Sequence, residues 1–407
     1  MDDHYDTLET RDPAVREAAL LGALPGLLAV LRTAPAWAER LAGVDAAAVT
    51  DRAALARLPV LRKADLIAAQ AVDPPFGGFL TVPPGSLSRI FVSPGPVFVP
   101  EGREGDAWGA ARALYAAGVR PGDVAANTFG YHATPGAFIL ESGLRTLGCP
   151  VFAAGPGSAS EAVATLAMLR PAVYCGVPDY LNLLQDRAEE TGRTLGFAKA
   201  LVSGAALPAA LRARIEGRGV RVAEAYATAD LGVVAYESAA REGLILSEGL
   251  ILEIVRPGTG DPVPDGEVGE VVVTRLAGSH PVLRLATGDL SAILPGTSPC
   301  GRTNVRIRGF MGRADQRTKV KGMFVDPLQI AEILRRHPGI ARARLVVGRE
   351  GHTDTMTLRV EAPAEAADAI ADTLRLVTRL SGRVECVAPG SLPNDGKVIA
   401  DERPVDG

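Results

Sequence analysis

From Asp12-Pro13 onward the chain is rich in Ala and Leu and repeats its apolar positions in a helical rhythm. Asp12 can accept hydrogen bonds from the free amides of a helix start, and Pro13 fits a first turn because no amide proton is needed there. Residues 1–70 therefore read as a helical lead-in. Between about Asp106 and Tyr226 helix-like and strand-like segments alternate: a helix after Asp106, a strand near Val124 to Thr128, a helix from Gly136, a strand at Val151. That alternation predicts a mostly parallel sheet covered by helices, with ligands bound beyond the carboxyl ends of its strands. The loops to read are then NTFGYHATPG, AAGPGSASE, GVPDY, VSGAALP and AYATADLG, each placed after a strand.

The texture changes over residues 243–295, where short apolar stretches are separated by Gly, Pro and Asp turns; this predicts an antiparallel β subdomain. From Gly312 to Pro327, GRADQRTKVKGMFVDP, a polar turn leads into a two-faced strand at Lys319, Val320 and Lys321. Beyond it come an amphipathic helix, two strands, a second helix and another strand. The expected fold class is α/β: a large domain over residues 1–311 with a mostly parallel helix-covered sheet and a β subdomain, then a small mobile α+β domain over 312–407. A length of 407 residues exceeds what one hydrophobic core usually supports, which agrees with more than one domain.

Charge and cysteine usage narrow the partners. Lys and Arg total 43 against 47 Asp and Glu, with the signs interspersed, so no electrostatic footprint for nucleic acid is present. Cys149, Cys175, Cys300 and Cys386 lie far apart without a Cys-x-x-Cys spacing, which indicates neither a disulfide framework nor a zinc finger and fits a reducing cytoplasm. The N-terminal MDDHYDTLETRD is acidic where a signal peptide would be basic, and the apolar stretch from Ala18 to Leu31 is too short to span a bilayer. No targeting or membrane segment is expected.

Short segments carry groups suited to nucleotide chemistry, and each has a plainer reading. Ala225-Tyr226-Ala227-Thr228-Ala229-Asp230 brings together a ring, a hydroxyl and a carboxylate, yet could be a strand-to-loop turn with a helix cap. Thr287-Gly288-Asp289 alone is a turn; Leu392-Pro393-Asn394-Asp395-Gly396-Lys397 ends in what could be an exposed tail lysine; the Gly312 stretch could be a basic surface hairpin. In this order, however, they resemble the adenylate-forming enzymes, whose joint between large and small domains reads Gly-Arg-x-Asp-Asp-x-x-Lys-x-x-Gly. The match falls at Gly312, Arg313, Asp315, Lys319 and Gly322, with Gln316 where the second Asp stands. LETRDPAVREAAL and LARLPVLRKADL further resemble the phenylacetate-CoA ligase branch of that superfamily.

The resemblance implies an ATP-dependent ligase that joins a carboxylic acid, aryl or arylacetic, to CoA through an acyl-adenylate, with ATP, Mg²⁺ and CoA as reactants. Tyr226 would stack on adenine, Thr228 would reach a phosphate oxygen, and Asp230 would hold Mg²⁺ with a side chain one methylene shorter than the usual glutamate. Ser203, Gly204 and Ala205 would line the adenine pocket with backbone; Asp289 would hold the ribose hydroxyls, with Arg313 as its ribose or phosphate partner. Lys397 would bridge carboxylate and α-phosphate during adenylation. Asp315 would be the pivot of the small domain, and Lys319, Lys321 and Gly322 would wall the CoA channel. Tyr131, His132 and Ala225 would face the acyl pocket, a packed hydrogen-bonded histidine being the other reading of His132. Members of this family often pair as homodimers.

Departures from the pattern matter as much. Where a Ser/Thr/Gly-rich loop ending in Gly-Lys-Pro should cradle the phosphates, this chain has RIFVSPGPVFVPEGRE; Ser93 and Gly95 survive, while Pro94 and Pro96 have no amide proton to donate. Arg89, Arg103 or the AAGPGSASE turn would have to compensate, Lys63 being read as a solvated helix-start residue. Gly155-Pro156-Gly157 resembles part of a dinucleotide fingerprint but has Ser160 at the third glycine and reads as an ordinary strand-to-helix turn. Zinc-binding relatives carry Cys-x-Cys-Gly-Arg; here Ser298-Pro299-Cys300-Gly301-Arg302 retains one thiol, so neither zinc nor flavin is expected and Cys300 reads as a buried or half-buried apolar residue. Two other functions stay open: a non-catalytic nucleotide- or acyl-binding protein that has lost its phosphate loop, and, more remotely, an NAD-dependent oxidoreductase using Gly155 to Gly157.

Overall fold

The first α-helix begins where the sequence places it. Asp12 Oδ1 accepts from the amides of Ala14 and Val15 at 2.8 and 3.1 Å, and Pro13 occupies the first turn. Helices α1 (Pro13–Gly22), α2 (Leu24–Leu31), α3 (Pro35–Arg40), α4 (Arg52–Ala56) and α5 (Lys63–Val72) form the lead-in. Taken together, Pro13–Leu31 is 19 residues long and apolar enough to cross a membrane by length and composition, more than the stretch counted from sequence. Pro25, in the first turn of α2, has no amide to continue the ladder of α1, so the run breaks at Ala23, and Leu24, Leu27, Leu28 and Leu31 are buried. The computed structural model describes residues 4–403 apart from Pro94, Ser279, Asp315, Arg317, Lys321, Gly322, Gly351 and His352, with backbone alone at Lys319, Phe324 and Thr353.

The chain divides into two compact units, the first made of residues 1–252, 273–285 and 294–310, the second of 253–272, 286–293 and 311–407. In the first unit the hairpin β1 (Arg89–Ser93) and β2 (Val97–Glu101) is followed by α6 (Ala110–Ala116), β3 (Ala125–Asn127), α7 (Gly136–Thr146), β4 (Val151–Ala153) and α8 (Ala159–Leu169). The alternation continues with β5 (Val173–Gly176), α9 (Pro178–Glu190), β6 (Lys199–Val202), α10 (Ala209–Glu216), β7 (Arg221–Thr228), β8 (Gly232–Glu237) and β9 (Leu244–Leu246). Strands β4, β3, β5, β6 and β7 lie side by side and parallel, as the alternation predicts. Residues of β5 and β6 are almost wholly buried, which suits strands covered by helices on both faces.

The sheet turns antiparallel after β7. Strand β8 pairs with β7 and β9 with β8, so Tyr226 to Thr228 belong to a strand and Ala229 to Leu231 to a hairpin, not to a strand-to-helix loop. Gly232 has no room for a side chain: a Cβ there would lie 2.4 Å from the Trp108 carbonyl oxygen. Strand β9 also falls within the stretch expected to form a separate β subdomain, yet its buried Leu-Ile-Leu side chains join the large sheet. The expected antiparallel subdomain consists instead of β10 (Leu250–Val255), β11 (Gly269–Arg275) and β12 (Val282–Ser291), in that order. Strands β13 (Ile293–Leu294) and β14 (Arg306–Ile307) complete the large sheet at its β9 edge.

The second unit contains the short hairpin β15 (Thr318–Val320) and β16 (Met323–Val325), then α11 (Pro327–Arg336), β17 (Ala343–Glu350), β18 (Thr353–Glu361), α12 (Ala367–Thr378) and β19 (Arg383–Val387). Ile330 and Ile333 of α11 and Ile370 and Leu374 of α12 recur at helical spacing and are buried in one core with Leu345, Val347, Leu358 and Val360 of the sheet. Burying each such side chain contributes roughly 1.5–3 kcal/mol. A strand not expected from sequence, β20 (Ile399–Asp401), lies parallel to β17 with Ile399 opposite Leu345. It fixes the residue run that begins at Lys397.

Candidate active site

In the first unit the loops after β3, β4, β5 and β6 all leave the carboxyl edge of the parallel strands. Ser203, just beyond β6, donates its hydroxyl to the Ala225 carbonyl at 2.7 Å, so its side chain braces β7. Gly204, at φ +75°, and Ala205 follow it as exposed residues that offer backbone. Tyr226 is nearly buried on β7, at a register shift between Tyr226 and Ala227. Thr228 Oγ1 accepts from the Leu231 amide at 3.2 Å, which shapes the hairpin and leaves the hydroxyl proton directed elsewhere.

Asp230 sits in that hairpin with a mostly buried side chain. Its Oδ2 is 3.5 Å from Lys63 Nζ, and its Oδ1 lies 3.5 Å from Ser93 Oγ. Lys63 is the first residue of α5, as a helix-start reading requires, but its long side chain reaches Gly95: a Cβ there would be 3.1 Å from Lys63 Cε. Among the described residues Lys63 thus brings an ammonium beside Asp230 and Gly95, a placement that sequence reasoning did not anticipate. Its place in LPVLRKADL, a segment that resembled the family, was the available signal. The arginines considered for this role are engaged otherwise. Arg89 pairs with Glu101 across the β1–β2 hairpin at 2.7 Å and lies 4.7 Å from the Phe138 ring centroid; Arg103 donates to the Ser86 carbonyl at 2.9 Å.

Tyr131, His132 and Ala225 line the same edge in different ways. The Tyr131 phenol accepts from Asn127 Nδ2 at 3.0 Å, and its ring meets Phe138 edge-on at 5.3 Å. Burial first, then the neighbouring Glu141 carboxylate, push its pKa up, so it stays protonated. Ala225 is buried on β7, whereas His132 is exposed, which departs from the packed alternative. At Gly155, which stands at φ +64°, and at Gly157, no described protein atom lies within 4 Å of where a Cβ would stand. Cys300 is half-buried and packs against the hydrophobic core, as expected, with polar neighbours on its other side: Ser298 Oγ lies 3.1 Å and Arg302 Nη1 3.6 Å from its sulfur. Burial alone would raise its pKa; the bonds from Ser238, Ser298 and Arg302 bring it below the usual thiol value.

The second unit holds two further groups. Asp289 Oδ1 and Arg313 Nη1 form an ion pair at 2.7 Å, between residues joined by an isolated β-bridge. The Asp289 amide donates to Thr287 Oγ1 at 3.2 Å, while Arg313 is more than half exposed. Lys397 is exposed on the loop before β20. Its amide donates to Asp395 Oδ1 at 3.0 Å and its carbonyl accepts from Arg344 Nε at 3.0 Å. Asn394 anchors the same loop by accepting from the Val268 amide at 3.0 Å. Lys319 lies on β15 opposite Phe324; Asp315, Lys321 and Gly322 lie outside the described residues.

The sequence model of the AMP-binding enzyme family matches residues 119–277. The phenylacetate-coenzyme A ligase of Thermus thermophilus is 32% identical over 337 residues, covering 79% of this chain and 75% of that protein. The Escherichia coli phenylacetate-coenzyme A ligase is 30% identical over 308 residues, covering 70% and 69%. Among solved structures, 2-hydroxyisobutyryl-CoA ligase in complex with 2-HIB-AMP and CoA, in the thioesterification state, matches with a TM-score of 0.71 and 26% identity over 99% of this chain and 93% of that one. Fold and sequence thus define an adenylate-forming enzyme. Within that class the chain belongs to the phenylacetate-CoA ligase family.

Proposed function

We propose that the protein is an AMP-forming acid-CoA ligase acting on an aryl or arylacetic acid. The carboxylate oxygen attacks the α-phosphorus of ATP and pyrophosphate leaves; the CoA thiolate then attacks the acyl carbon and AMP leaves. The observation that carries this reading is the Lys63–Asp230 pair beside Ser93, because it puts a cation and a carboxylate where the proline-containing turn lacks amide donors. Asp230 is suited to the Mg²⁺ that accompanies ATP, and Lys63 to the phosphate charge. Thr228 serves a phosphate oxygen, Tyr226 the adenine, and the backbone of Ser203 to Ala205 the pocket around it. Asp289 and Arg313 are assigned to the ribose, Lys397 to adenylation, and Lys319, Lys321 and Gly322 to the CoA channel. Tyr131, His132 and Ala225 are assigned to the acyl group, with residues 312–407 as the mobile part pivoting at Asp315.

Four unpaired cysteines support a reducing cytoplasm, and the family resemblance supports a homodimer. The test is ATP-pyrophosphate exchange with a panel of aromatic and short aliphatic acids, run beside calorimetric titration with ATP, AMP and CoA. Exchange stimulated by one acid establishes the reaction and names the substrate class. Binding of AMP or CoA with no exchange across the panel overturns the ligase reading in favour of a nucleotide- or acyl-binding protein.

A further inference from the structure

We infer that Gln316 is a positioning residue for Lys397, an inference that rests on the ligase reading above. Its side-chain amide brackets the lysine in the backbone. Nε2 donates to the Gly396 carbonyl at 2.8 Å and reaches the Arg313 carbonyl at 3.5 Å, while Oε1 accepts from the amides of Val398 and Ile399 at 2.6 and 2.8 Å. Two carbonyls can face only the NH₂ half and two amides only the oxygen, so the partners fix which way the amide points. Both donors and both acceptor positions are used.

This is the residue that departs from the hinge pattern, which has an aspartate there. A carboxylate could accept from the two amides but has no proton for the Gly396 carbonyl. Gln316 therefore adds a bond on the residue immediately before Lys397. Ile399 begins β20, whose ladder ties it to Leu345 of β17, so the bracket extends the order of the sheet back across Lys397. Gly396 stands at φ +70°, a conformation that the bracket holds on its carbonyl side. The Lys397 ammonium is then delivered from a fixed backbone while its exposed side chain remains free to reach a reacting oxygen, which reduces the ordering left for the transition state. Gln316 also follows Asp315, so a rotation at that pivot would carry the lysine loop through side-chain bonds as well as through the chain.

The experiment compares wild type with Gln316→Ala and Gln316→Glu in the full chain. Three quantities are read: deuterium exchange at the Val398 and Ile399 amides, kcat and ATP KM for pyrophosphate exchange, and thioester formation from synthetic acyl-adenylate. In Gln316→Ala the two amides should exchange about tenfold faster. The kcat for pyrophosphate exchange should fall about 10²-fold, with ATP KM and the thioester step essentially unchanged. Gln316→Glu keeps the acceptor, so the amides should stay protected while kcat falls by a smaller factor. Equal amide protection in Gln316→Ala and wild type overturns the bracket, and an equal loss in both half-reactions overturns the positioning role in favour of a merely structural one. If wild type gives no exchange with any acid, it is the ligase reading that has failed; the amide measurement still decides the bracket.

Discussion

The stretch around Ser93 to Pro96 in the first unit and the loop at Pro393 to Val398 in the second, to which the proposed reaction assigns phosphate and carboxylate charge, are built in opposite ways. The first has prolines in its sequence where amide donors would be, and Lys63 on α5, a partly exposed lysine 3.5 Å from Asp230, lies beside Gly95. The loop is saturated: Asn394 meets Val268, Arg344 meets the Lys397 carbonyl and Asp395, and Gln316 meets Gly396, Val398 and Ile399. Hydrogen bonds from backbone amides are directional, while attraction to a point charge falls only as the inverse of distance. Lost amides can therefore be offset by a flexible lysine from a distant stretch of chain. A group that must arrive at one reacting oxygen needs the fixed loop.

The comparison is broken most readily at Lys397. Lys397→Ala should lower pyrophosphate exchange about 10³-fold, while thioester formation from synthetic acyl-adenylate stays near wild type. Equal loss of both half-reactions would remove the special role of the loop. Lys63→Ala should have the next largest effect, a drop of about 10²-fold in exchange with a raised ATP KM, since a charge-assisted contact to phosphate goes with it. Lys63→Arg should recover part of that loss. If Lys63→Ala exchanges at the wild-type rate with an unaltered KM, the turn draws its positive charge from elsewhere. Asp289→Asn sharpens the contrast within the second unit: replacing a charged acceptor by a neutral one should weaken AMP binding about tenfold by calorimetry. An unchanged affinity would separate the Asp289–Arg313 pair from the ribose.

The parallel sheet was legible because helix and strand periods alternate regularly from Asp106 to Tyr226, and the small α+β unit because α11 and α12 keep their isoleucines and leucines at helical spacing. What escaped was non-local. Nothing in AYATADLG says that the chain after Thr228 folds back on β7; the pairing is decided by β8, whose residues are all buried, and by Gly232 against Trp108. Strand β20 is three residues long and gains its place only by pairing with β17. Lys63 looked solvated because its neighbours in sequence are helical and polar, and only the fold puts Asp230 and Gly95 beside it. Gln316 was visible as a departure from a pattern, but the bonds it makes join residues some eighty positions away.

The smallest expected effect is on stability and probes the loop without touching its charge. Gly396 stands at φ +70°, and a Cβ there would lie 2.6 Å from Val268 Cγ1 and 3.0 Å from Leu290 Cδ1. Val268 and Leu290 are buried together with Ala292 and Ala314, so neither can withdraw without opening that small core. Gly396→Ala combines left-handed backbone strain with this contact and should cost about 1–3 kcal/mol of stability in denaturant titration. The strain also bears on the residue that follows, so pyrophosphate exchange should fall while AMP affinity holds. Should Gly396→Ala be as stable and as active as wild type, the loop would have slack that its bonds do not suggest, and the contrast with the Ser93 turn would rest on the bonds of Asn394, Arg344 and Gln316 alone.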